Sequence, residues 1–134
     1  MPITPVDYTL CIKAAEAIKY LMTRRPVTRV SIDDLRRRIK QPTYTFGTKT
    51  ILNLVGCWCD EVGIDNLALL IQLDGGGVLK WVVERQCSEY VQPFTDDDAQ
   101  ERREILSQLL EKGLLDSIEL PTAGEIMNAW NRYS

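Results

Sequence analysis

The chain contains no histidine. The commonest general base at neutral pH and the commonest neutral metal ligand are therefore missing, which excludes Ser-His-Asp and Cys-His catalysis and His-based zinc sites within it. Aromatic residues are sparse at 7%, and no apolar run approaches the roughly 20 residues needed to cross a bilayer. Residues 1–7 have neither the basic start nor the apolar stretch of a secretory leader. Phosphate-binding glycine patterns are absent too: Asp74-Gly75-Gly76-Gly77 matches neither G-x-x-x-x-G-K-[ST] nor G-x-G-x-x-G at the start of a helix. Together these absences predict a cytoplasmic protein that is not an enzyme, with no catalytic residues, no cofactor, no metal and no membrane partner.

What is present is ordinary globular material: 134 residues, 45% apolar and 26% charged, long enough for one unit with its own core. Of the four cysteines, Cys11, Cys57 and Cys59 fall in apolar helical patterns, so free thiols are expected. Cys57 and Cys59 would point about 200° apart on a helix, which makes a poor metal clamp, and Cys57, off the main apolar stripe, is the one thiol expected at the surface. The net charge of −3 hides an asymmetry. Residues 1–50 carry ten Lys/Arg against four Asp/Glu, and residues 51–134 carry six against fifteen. The two halves are built for different partners.

Helical periodicity predicts a first helix over 7–24, with Cys11, Ala14, Ala15, Ile18, Leu21 and Met22 on one stripe and Pro26 blocking continuation. A short strand, 27–30, follows. Ser31 with Asp34 three residues on opens a second helix through Ile32, Leu35 and Ile39. A third runs from about Thr48 to Glu61, with Ile51, Leu54, Val55, Trp58, Cys59 and Val62 aligned and Gly63 as its terminator. From Asn66 to Leu73 the period changes to two; with the glycine turn and 78–85 this reads as a β-hairpin. Thr95 with Asp98 caps a fourth helix carrying Ile105, Leu106, Leu109 and Leu110 and ending at Gly113. Thr122 with Glu125 opens a fifth through Ile126, Ala129, Trp130 and Tyr133. Trp58, Trp81 and Trp130 are expected in the core. The consecutive acids Asp96, Asp97 and Asp98 are explained by a helix start, where the dipole favours anions.

The order helix, strand, helix, helix, strand, turn, strand over 7–85 resembles the winged-helix branch of the helix-turn-helix folds. The stretch Leu54 to Ile71, including Trp58-Cys59-Asp60-Glu61-Val62-Gly63-Ile64, is similar to small winged-helix modules of mobile elements and defence systems. The expected fold is thus α+β and mainly helical. A winged-helix-like core spans 1–94, three helices plus a hairpin wing. Additional C-terminal helices over 95–134 would pack on that core or form a homodimer interface.

The resemblance implies a small regulator of transcription bound to double-stranded DNA. Its third helix would present Thr48, Lys49, Thr50 and Asn53 to base edges, and Lys80 would stand near the wing tip. Early cations, including Arg24, Arg25, Arg29, Arg36, Arg37, Arg38, Lys40 and Lys49, form the candidate phosphate-binding set, with Tyr44 and Phe46 as nearby contact aromatics. Arg36 to Arg38 are consecutive and diverge by about 100° each around their helix, so they cannot all face one way. The other reading is a protein-interaction module or inhibitor of phage or mobile-element type. Its acidic half, with Glu101, Glu104 and Glu111, would engage a basic protein that handles nucleic acid.

Overall fold

The computed structural model describes residues 7–41, 46–72 and 96–133. Asp7 starts the first helix, α1 (Tyr8–Thr23), because its side chain accepts the Thr9 N–H at 2.9 Å and so satisfies one of the donors a helix start leaves open. Ser31 does the same for α2 (Ile32–Arg38), accepting from Asp34 N–H at 3.1 Å while also ending the two-residue strand β1 (Val30–Ser31). α3 (Phe46–Val62) begins two residues before the expected start. The last helix, α5 (Ala123–Tyr133), opens on the expected capping box: Glu125 N–H donates to Thr122 Oγ1 and Thr122 N–H donates to Glu125 Oε1.

Three helices end on one residue in the left-handed region, closed by a hydrogen bond from the next residue's N–H to a carbonyl five positions back. Gly63 (φ 80°) closes α3, with Ile64 N–H on the Cys59 carbonyl at 3.0 Å. Gly113 (φ 72°) closes α4 (Asp96–Glu111), with Leu114 N–H on the Leu109 carbonyl at 3.0 Å. At α2 the same bond runs from Gln41 N–H to the Arg36 carbonyl at 2.8 Å, but the left-handed residue is Lys40 (φ 60°).

The expected strand over 66–73 is not formed as such. Asn66 accepts the Ala68 N–H at 2.9 Å and caps a 3-10 helix, Leu67–Leu70, whose four residues are all buried. Burial on every side, not alternation, explains this apolar run, and a period-two reading cannot tell the two apart. Of the described part of that range, 66–72, only Ile71–Gln72 pairs as a strand, β2. It pairs in parallel with β1, Val30 opposite Ile71 and Ser31 opposite Gln72. Likewise the first strand is Val30–Ser31, not 27–30. The glycine turn, 78–85, Cys87 and Trp81 lie outside the described residues.

α1, α3 and α5 pack on one another around Cys11, Ala14, Ile18, Leu21, Ile51, Leu54, Val55, Trp58, Ile126 and Trp130. α2 rests on the small sheet and adds Leu35 and Ile39. α4 lies against the 3-10 helix. Its buried residues are Ala99, Arg103, Leu106 and Leu110, whereas the expected stripe member Ile105 is 41% exposed. Arg103 takes that inward position by donating from Nε to the Leu69 carbonyl and from Nη2 to the Ile71 carbonyl at 3.2 Å, which ties α4 to the 3-10 helix and β2. Cys57 is buried as well, contrary to expectation, because α3 is covered on more than one side by α1, α5 and the 3-10 helix. The chain is therefore mainly helical, with a two-stranded parallel sheet.

Candidate nucleic-acid interface

The end of α2 is tied to the first half of α1, where Lys13 donates to the Gln41 side chain at 2.8 Å and to the Lys40 carbonyl at 3.4 Å, and it lies beside the later turns of α1 as well. A cavity of about 580 Å³ opens between them, lined by Glu16, Lys19, Tyr20, Thr23, Arg24, Arg25, Arg38 and Lys40. Five cations face one carboxylate. Tyr20 lines the cavity beside them. Arg24 and Arg38, from separate segments, each hold the guanidinium over its ring, 5.5 and 5.4 Å from the centroid, close enough for cation–π attraction.

Two of the arginines are held in place before any ligand arrives. Arg24 donates to Thr28 Oγ1 at 2.6 Å and to the Thr28 carbonyl at 2.8 Å. Arg25 donates to the Met22 and Arg24 carbonyls, both at 3.0 Å, and pairs with Asp116 at 3.6 Å. Arg38 and Lys40 are exposed.

The consecutive arginines have three different fates, as their divergence around the helix requires. Arg36 pairs with Asp33 at 3.0 Å and donates to the Gln41 carbonyl, bracing the end of α2. Arg37 pairs with Asp34, whose carboxyl is held below the usual range first by that hydrogen bond and then by the one from Ser31. Only Arg38 turns to the groove. Arg29 is separate, lining a second cavity with Arg103, Glu104, Ser107 and Gln108.

The expected base readers are placed differently. Thr48 is 1% exposed, and Asn53 is half-buried with its carboxamide oxygen buried and without a hydrogen-bond partner among the described residues. Thr50 is half-buried, and of the four only Lys49 is exposed. The start of α3 is thus largely covered by its neighbours. Tyr44 and Lys80 lie outside the described residues, and Phe46 is described only as the first residue of α3. On the acidic side, Glu101 and Glu104 are exposed on α4, while Glu111 accepts the Val27 N–H at 2.9 Å and fastens α4 to the segment before β1.

Sequence reasoning missed Lys19, Tyr20 and Thr23. A signal for them exists: Glu16, Lys19, Tyr20 and Thr23 follow one another at three, four and seven residues, the polar face opposite the α1 core stripe. No helix among the described residues is long and apolar enough to cross a membrane. Scans of protein-family models, of curated proteins and of solved structures find no match to the chain.

Proposed function

We propose that the chain binds the phosphate backbone of a nucleic acid through the groove between α1 and α2. The observation that carries this is the convergence of Lys19, Arg24, Arg25, Arg38 and Lys40 on one cavity, in a molecule of net charge −3. Like charges repel, so a cluster of cations in a molecule that is acidic as a whole is suited to a polyanion that neutralises them. The winged-helix reading, with a role in regulating transcription on double-stranded DNA, draws on the element order α1, β1, α2, α3 and is the form of this proposal that a preference for duplex over single strand would favour. Neutralising about four phosphates makes affinity fall roughly 100-fold between 50 and 200 mM salt. Fluorescence anisotropy with labelled oligonucleotides at several salt concentrations tests this. Arg24→Glu with Arg38→Glu abolishes the salt-dependent binding, and salt-insensitive or absent binding of the unaltered protein refutes it.

A second reading draws on the exposure of Glu101 and Glu104 on α4, an acidic face suited to a basic protein. Under it, Glu101→Lys with Glu104→Lys abolishes partner binding while the groove reversal leaves it intact. Glu111 is unsuited to that test, because its carboxylate holds the Val27 N–H.

A further inference from the structure

We infer that the groove selects single-stranded over double-stranded nucleic acid, an inference that rests on the backbone-binding role proposed above. The groove's shape is the first ground. Its cations surround a concavity of about 580 Å³ instead of standing on a ridge or a flat face. A duplex is a far broader body than a concavity of that volume and meets it only at the rim. One strand, with successive phosphates and sugars, enters it.

The second ground is the charge spacing. Each guanidinium of Arg24 and Arg38 lies within 5.5 Å of the Tyr20 centroid, so the two are at most about 11 Å apart. Within that bound both cations can meet phosphates of one and the same strand, which recur every ~3.4 Å along the axis of a duplex, so no second strand is needed to satisfy them.

Tyr20 supplies the third ground. Tyr20 and the guanidinium groups of Arg24 and Arg38 line the groove together, and unpaired bases stack on aromatic rings and on guanidinium groups alike. Bases in a duplex are already stacked and cannot. The start of α3, the element expected to enter a duplex major groove, has Thr48 buried and Asn53 half-buried. The selectivity is for strand state and not for sequence, since phosphates and π-faces are common to all bases.

The test is anisotropy with the full chain and four probes of matched length at 100 mM salt: single-stranded DNA, single-stranded RNA, duplex DNA, and inorganic polyphosphate as a polyanion without bases. Either single strand binds at least tenfold tighter than duplex and polyphosphate, and which of the two binds better identifies DNA or RNA as the source. Tyr20→Leu lowers single-strand affinity and narrows the gap; because Tyr20 also packs on the core, the exposed Arg38→Gln serves as the second variant, with the same narrowing. Equal affinity for single strand and duplex, with both lost in the groove reversal, overturns the strand preference and leaves the groove as a backbone site. Absence of binding to all four probes overturns both.

Discussion

Lys40 occupies a conformation that the other two helix ends of this type reserve for glycine, with φ 60° against 80° at Gly63 and 72° at Gly113. The left-handed region costs an L-residue about 1–2 kcal/mol. Glycine escapes that cost but loses about 0.5–1 kcal/mol more backbone entropy on folding. Lys40→Gly therefore stabilises the protein by about 0.5–1 kcal/mol, or roughly 2–5 °C in Tm for a chain of this size. The hydrogen bonds at this end survive the change, because the Gln41 N–H bond to Arg36 and the Lys13 bond to the Lys40 carbonyl use backbone atoms of residue 40 or none of it. The ammonium is lost from the groove. Nucleic-acid affinity accordingly falls, and the slope of log affinity against log salt shrinks by about one. Urea unfolding and salt-dependent anisotropy on the same preparations read both effects. A variant less stable than the parent would show that the lysine side chain contributes more to the fold than its strain costs. A more stable variant with unaltered affinity and slope would remove Lys40 from the interface.

Other consequences follow from the interior. Arg103→Met leaves the Leu69 and Ile71 carbonyls without their buried donor and costs about 2–4 kcal/mol, read as a lower urea midpoint; an unmoved midpoint would mean other donors replace it. At Gly56 an added Cβ meets Asn66 Nδ2 at 2.8 Å. Gly56→Ala therefore destabilises despite a helix-propensity gain of about 1 kcal/mol, and in an Asn66→Ala background that penalty largely disappears, a non-additivity measured by a double-mutant cycle. Burial pushes the Cys59 thiol up to about 12 from an ordinary 9.0. The folded state keeps a proton that the unfolded chain releases, so this contribution is intact below pH 9 and stability declines above it, by about 1.4 kcal/mol per pH unit between 9 and 12. Cys11, also raised first by burial, acts in the same direction. Unfolding at pH 8 and pH 10 should show the decline, and Cys59→Ala should lessen it; equal pH dependence in the two proteins would argue against the buried thiol as its source.

Helix starts and stops were legible because they are written in single side chains. Ser31 and the Thr122–Glu125 pair open the helices they were expected to open, and Gly63 and Gly113 end helices at the positions read from the sequence. Leu67–Leu70 misled because alternation and all-round burial give the same letters over so short a run. Arg103 was invisible for a different reason. A charged residue enters a core position only when specific carbonyls stand there to receive it, and their placement comes from tertiary packing. The cationic groove was half-legible: the excess of early positive charge is plain in the sequence. Which tips share a surface depends on how α1 meets α2 and on Asp33 and Asp34, which claim Arg36 and Arg37.

The most direct measurement is an NMR titration of the isotopically labelled full chain with a short single-stranded oligonucleotide, following each backbone amide. With the α1–α2 groove as the interface, the largest changes fall on Lys19, Tyr20, Thr23, Arg24, Arg38 and Lys40. Changes centred instead on 48–53, or on Glu101 and Glu104 of α4, would contradict it.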